Sequence, residues 1–309
     1  MRWLLLIGIV TFFGCAKEKT YIPPAPTYFL VLPDKPTIWV EHVEKGFLAG
    51  CEQLQMECAV KKYGDLAPPA LAEFVVAMGD PRKAAITIAF ESPEKIKETL
   101  DLLSLKDRSA ITIGTDDSTA YRLGHVGADA KKLASLLAIR SQSMDPPAKR
   151  ILLLFGSAPI NREMLEASVF RESNKWETFR PRSKTVTEVT EEDFSWCDLV
   201  VPIGEDALDK AIASKGTRII PTDPSQKTLD LLDAERVPTV ITNNYFDIGL
   251  RASRIAREKF VYGQIQTPIL AIQPKEVDRE SMQYYLDTRF RVPAITPSKP
   301  PPPVSNPDK

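Results

Sequence analysis

The sequence predicts an α/β fold: two doubly wound parallel-sheet lobes with a ligand cleft between them. Three observations lead there. Short apolar runs alternate with amphipathic helical spacing through most of the chain. The alternation starts over near residue 150, which divides it into two halves. A polar, proline-bearing stretch bounds this body at either end. Short apolar strands separated by amphipathic helices argue for parallel sheets covered on both faces.

In the first half, residues 28–32 form a short apolar run, and helical spacing follows through Trp39, Val43, Phe47, Cys51 and Leu54. Residues 58–60 are a second strand, and Leu71, Phe74, Val75 and Met78 mark a second helix. Residues 84–90 are a third strand. Ser92, Pro93 and Glu94 then give an N-cap and first turn to a helix holding Ile96, Leu100 and Leu103. Residues 110–113 close this half. In the second half the strands are residues 150–155, 198–201, 217–220 and 239–241, with helical segments at 208–214 and 227–233. Residues 171–184 are polar and read as a surface loop that shortens this half. Trp176 and Phe179 among Arg180, Arg182 and Lys184 offer a contact surface as the other reading.

The ends carry their own signals. Arg2, an apolar run from Trp3 to Phe13, and Gly14 make a short secretory signal over residues 1–14. The run falls short of the roughly 20 apolar residues a spanning helix needs. Residues 12–15 resemble a bacterial lipobox, which would make Cys15 the lipidated first residue of the mature chain. The other readings are an ordinary secretory signal and an uncleaved anchor with an incidental cysteine. Residues 15–27 form a tether, and the proline-rich residues 291–309 a polyproline-like, mobile tail. The expected location is the periplasmic or extracellular face, with the membrane held through Cys15.

Composition narrows the function. With 43% apolar and 26% charged residues the chain can bury a core, and a net charge of −1 supplies no field for extended nucleic-acid binding. Cys51 and Cys58 could pair and leave Cys197 over, or all three could be small buried apolar residues. There is no CxxC motif, and His42 and His125 are the two histidines, so no metal is expected. No serine elbow, phosphate loop or dinucleotide fingerprint is present. No catalytic residue and no cofactor are therefore predicted.

Four stretches together resemble type I periplasmic solute-binding proteins of the ribose-receptor branch. They are Thr37-Ile-Trp39 with Lys45-Gly46-Phe47, then residues 122–129, then residues 219–223 ending in Asp223, then residues 243–249 opening with Asn243. The resemblance implies a first lobe of residues 28–124 plus 246–266 and a second of 125–245 plus 267–290. It implies a ligand-binding set of Trp39, Phe90, Asp116, Arg162, Asp223 and Asn243. An aromatic face would pack on a sugar-like ring while carboxylate and amide groups take its hydroxyls. The sequence departs from that pattern in several places. Phe90 replaces a polar residue, Gly114 an aspartate, Met164 an arginine (Arg162 lies nearby), and Ile203-Gly204 an Asn-Asp pair.

The implied protein is a monomer that captures a small organic solute by lobe closure and presents it to the permease of an ABC importer. The alternative is a non-transport lipoprotein that uses the same fold for sensing or for binding a protein partner.

Overall fold

The computed structural model describes residues 26–282, apart from residues 92, 176–178, 215 and 267. The signal segment, the lipidation site Cys15, most of the tether, the cap Ser92, Trp176 and the proline-rich tail lie outside the described residues.

The chain enters through β1 (Thr27–Pro33), α1 (Ile38–Gln53), β2 (Glu57–Tyr63), α2 (Pro68–Val76), β3 (Ala84–Phe90), α3 (Glu94–Ser104), β4 (Ala110–Gly114) and β5 (Gly124–Ala128). It then builds a second unit from α4 (Ala130–Ser143), β6 (Arg150–Phe155), α5 (Arg162–Ser173), β7 (Arg180–Thr185), α6 (Glu191–Trp196), β8 (Leu199–Ile203), α7 (Glu205–Ala213), β9 (Arg218–Ile219), α8 (Gln226–Asp233) and β10 (Val240–Thr242). It returns through α9 (Tyr245–Tyr262), β11 (Ile269–Ile272) and β12 (Lys275–Val277).

The first sheet runs β11-β5-β4-β3-β1-β2, parallel at every pairing. β3, Ala-Ala-Ile-Thr-Ile-Ala-Phe, is buried along its whole length because helices cover both faces. Its alternation shows which residues face which layer. Ala85 and Ala89 pack with Val43 and Phe47 of α1 and Ile248 and Ala252 of α9. Ile86, Ile88 and Phe90 pack with Leu71 and Val75 of α2 and Ile96 and Leu100 of α3. The small alanines admit the two longest helices. Gly46 and Gly249 let α1 and α9 touch backbone to backbone, since a Cβ on either would collide with a main-chain oxygen of the other helix. α9 is thereby fixed to the first lobe.

The second sheet runs β7-β6-β8-β9, also parallel. Leu153, Val201 and Ile203 face α4 and α5, while Leu152, Leu154 and Val200 face α6 and α7. β10 and β12 pair antiparallel as a small separate ribbon beside α8.

Two expectations need correction. Residues 171–184 are not a loop: α5 continues to Ser173, and β7 pairs with β6 from Arg180 to Thr185. β7 is an edge strand and needs little apolar sequence. The Arg180 amide donates to the Lys149 carbonyl on the β6 side, so alternation turns the donor-less Pro181 away from that ladder. Phe179 just before it is buried in the core under α4 and α5. The boundary expected between residues 124 and 125 falls at the start of β5, whose pairing with β4 and β11 keeps residues 124–128 and 269–272 in the first sheet.

Of the cysteines, Cys51 near the end of α1 and Cys58 in β2 form a disulfide with Cα atoms 6.2 Å apart. Cys197 is a buried free thiol, pushed up to about 11 by burial. Among the described residues no helix is long and apolar enough to cross a membrane, and no cluster of three His, Cys, Asp or Glu side chains could hold a metal ion.

Candidate functional site

The carboxyl ends of the two parallel sheets meet along a seam. In sheets of this kind those ends are where ligands bind. Contacts cross the seam at several points. The Ile38 amide of α1 donates to Glu205 Oε2 of α7 at 3.4 Å. Asn161 Nδ2 donates to the Asp116 carbonyl at 3.4 Å. Pro159, in the loop after β6, packs on Gly114 at the end of β4. Gly114 has φ +82°, and a Cβ there would lie 2.5 Å from the proline ring. Glycine thus stands where an aspartate was expected because the backbone conformation and the facing proline admit no side chain.

The second-lobe side is closely tied together, in part by Tyr245 of α9, which reaches it from the first lobe. Asp206 Oδ1 accepts from the Ser157 amide at 2.9 Å, the Ser157 hydroxyl at 3.3 Å and the Ala207 amide at 3.0 Å. It thereby joins the loops after β6 and β8. Asp223, 3% exposed, accepts the Tyr245 hydroxyl at 2.9 Å and the Gly204 amide. Asn243 Nδ2 donates to the same Tyr245 oxygen at 3.3 Å. Asn244 adopts left-handed backbone (φ 54°), which turns the chain from β10 into α9 and puts Tyr245 at the helix start. Burial pushes the Asp223 carboxyl up to about 6; the Tyr245 hydroxyl and the Gly204 amide oppose that shift, while Glu205 and Asp206 add to it.

The first-lobe side is less complete. Asp116 Oδ2 accepts from Arg122 Nη2 at 2.6 Å, and Oδ1 lies 3.7 Å from His125 Nδ1. His125 sits in β5 with Nδ1 2.9 Å from Thr112 Oγ1. Burial pulls its pKa down to about 4 against the opposing pull of Asp116, so the imidazole is neutral at pH 7. Several buried polar atoms have no hydrogen-bond partner: Thr37 Oγ1, Trp39 Nε1, Thr115 Oγ1 and Asp116 Oδ1 here, and Asn243 Oδ1 opposite. Thr37 is the N-cap residue of α1, yet its hydroxyl makes no cap bond. Thr37 adjoins Ile38, and Thr115 lies between Gly114 and Asp116, so these atoms belong to residues at or beside the seam contacts. Hydroxyls donate or accept, the indole N–H donates, and carboxylate and amide oxygens accept. Such a mixture suits a small polar molecule.

The expected ligand-binding residues fare differently. Asp223 and Asn243 are brought together, with Tyr245 between them. Asp116 reaches the seam through its carbonyl. Trp39 is a core aromatic, 2% exposed among α1, α9 and the sheet, although its N–H is unpartnered. Arg162 pairs with Glu166 at 2.6 Å on its own helix and lies over the Phe155 ring at 5.1 Å. Phe90 requires correction. Its place in the strand alternation turns it into the core under α2 and α3, where it is 1% exposed. There it also lines a cavity of about 80 Å³ with Lys35, Tyr63 and Glu91.

Sequence reasoning missed Tyr245, Thr37, Thr115, Glu205 and Asn161. Tyr245 lay inside a quoted segment, two residues past Asn243; a phenol at a helix start gives no hint that it reaches back to Asp223.

No family model matches the chain, and no curated protein matches it. Solved structures do match. The periplasmic ribose ABC transporter structure from Conexibacter woesei superposes with TM-score 0.68 at 11% identity, over 85% of this chain and 95% of that one. GanP, a glucose-galactose binding protein from Geobacillus stearothermophilus, gives 0.65 at 17% identity, over 84% and 99%. A carbohydrate transporter from Acidothermus cellulolyticus, in complex with myo-inositol, gives 0.66 at 13% identity, over 86% and 99%. This chain has the type I periplasmic binding protein fold. The same fold serves another role in a structure described as a putative LacI transcriptional regulator from Bacteroides fragilis, TM-score 0.66 at 12% identity, over 84% and 99%. At these identities the likeness concerns the fold, and function must be argued from the site.

Proposed function

We propose that this protein is an extracytoplasmic receptor that holds a small polar organic solute, sugar-like or related, between its lobes. The observation that carries this reading is the set of unpartnered buried polar atoms at the seam, on Thr37, Thr115, Asp116 and Asn243. Leaving such a group unpaired costs about 1–3 kcal/mol, so a molecule that supplies the missing partners gains affinity from each. The reading extends to lobe closure around the solute, anchoring through Cys15 and delivery to an ABC importer. The signal-like residues 1–14 support the location, as does the Cys51–Cys58 disulfide, a bond that persists in oxidising compartments. Structural neighbours described as a glucose-galactose binding protein and as the periplasmic sugar binding protein of an ABC sugar transporter support the role.

A second reading is a sensing or partner-binding module. The engagement of Asp223 and Asn243 with Tyr245 favours it, because both side chains are already bonded to the tyrosine with no solute between them. Thermal unfolding across a panel of sugars, polyols, nucleosides and amino acids separates the two. The receptor reading expects one solute class to raise the midpoint by several degrees, and expects Asp116→Ala to lose that gain. A flat panel would move the protein to the second reading.

A further inference from the structure

Tyr245 belongs to one lobe and bonds to the other. Its helix is fixed to the first lobe by the α1–α9 contact through Gly46 and Gly249. The tyrosine ring packs in that lobe's core, 1% exposed, with Trp39, Val40 and Ile248. Its hydroxyl leaves this apolar setting to donate to Asp223, which follows β9 and is held by the Gly204 amide at the start of α7. Asn243, at the crossing between β10 and α9, donates to the same oxygen. One phenolic oxygen thus gives and receives hydrogen bonds as a solute hydroxyl would, at two residues the sequence marked for solute.

We propose that Tyr245 is a tethered stand-in for a solute hydroxyl, and that it latches the two lobes shut without solute. The inference rests on reading the interlobe seam as the solute site. A solute must then either compete for Asp223 and Asn243 or bind through the groups the tyrosine leaves free: Asn243 Oδ1, Thr37 Oγ1, Thr115 Oγ1, Asp116 Oδ1 and the Trp39 N–H. Arg122 Nε beside them is also without a partner, but Asp116 neutralises that guanidinium at 2.6 Å, so the set carries no net positive charge. The site therefore selects solutes rich in hydrogen-bond donors, neutral polyols or amino-polyols, over carboxylates and phosphates.

Hydrogen exchange on the full chain with no solute added tests the latch. Tyr245→Phe keeps the ring and removes the hydroxyl. Exchange in peptides 34–40 and 201–207, which flank the Ile38–Glu205 contact, should rise at least tenfold, while peptides 84–90 and 150–155 in the sheet centres stay unchanged. Asp223→Ala removes the acceptor, keeps the tyrosine ring and should open the same peptides, an outcome that a purely packing role for Tyr245 does not predict. Unchanged seam exchange in Tyr245→Phe overturns the proposal, as does exchange that rises equally throughout the chain. Thermal unfolding of the wild type with myo-inositol, an amino-polyol and citrate tests the solute reading separately. Seam opening in Tyr245→Phe with no response to any of the three leaves the latch standing and removes the solute. A citrate response larger than that to either polyol overturns the selectivity.

Discussion

The two sides of the seam are built to different degrees of completion. On the second lobe, Asp206 accepts three hydrogen bonds, and Asp223 takes a backbone amide together with the Tyr245 phenol that reaches it from the first lobe. On the first lobe, Thr37, Thr115 and Asp116 each keep a buried polar atom without a partner. A buried network that is satisfied rigidifies its surroundings, whereas one that is partly satisfied is unstable until something fills it. The second-lobe side is thus a preformed platform, and the first-lobe side is where an incoming solute has most to contribute.

Titration gives the largest test of this contrast. The carboxyl of Asp223 sits near 6 in the folded chain against an ordinary 3.8, facing Glu205 and Asp206 of α7 and Tyr245 of α9. Its stabilising contribution is full below about 4 and is lost as pH rises through 6, a change of about 3 kcal/mol. His125 sits near 4 against 6.5, facing Asp116, Arg122 and Thr112. Its contribution is present above 6.5 and is lost as pH falls through 4. The two slopes oppose each other in the wild type. Relative to wild type, Asp223→Asn should gain stability as pH rises from 4 to 6, and His125→Gln should gain as pH falls from 6.5 to 4. Urea unfolding at four pH values measures both, and parallel curves for all three proteins would defeat the assignment.

Sterics give the next effect. Gly156 lies so close to Asp206 Oδ1 that a Cβ would displace the carboxylate from its three donors. Gly156→Ala should cost about 2–3 kcal/mol in unfolding free energy and loosen the platform. A change below about 0.5 kcal/mol would show that the Asp206 junction is not rigid.

Two threonines sharpen the comparison at smaller scale. Thr222 on the second lobe donates to the Pro202 carbonyl at 2.9 Å, whereas the Thr115 hydroxyl on the first has no partner. Thr222→Val should destabilise by about 1 kcal/mol, and Thr115→Val should stabilise the solute-free protein by about as much. Equal signs in thermal unfolding would remove the distinction between the sides.

Sequence patterning carried the architecture where burial dictated the residues. The strand at residues 84–90 was legible because both its faces are covered, and the second lobe's central strands for the same reason. β7 was not, because an edge strand is held by main-chain pairing and its Arg-Pro-Arg-Ser-Lys-Thr face can be polar. β5 was not, because Gly124 and Gly127 carry no strand propensity; Gly127 lies beside the His125 ring, where a Cβ would collide. In the site, Asp223 and Asn243 were marked by the resemblance alone, and that both meet one phenol was not legible. Tyr245 was not, because its role depends on α9 belonging to one lobe while its hydroxyl reaches the other. Phe90 was misread since its assignment needed the face of β3 as well as the end of the strand.

The most direct test of the central claim is native mass spectrometry of the purified chain, with extraction of whatever small molecule accompanies it. The interlobe reading predicts one donor-rich organic solute per chain, lost in Asp116→Ala. A chain that carries no solute, and takes up none from a sugar, polyol and nucleoside mixture, would contradict it.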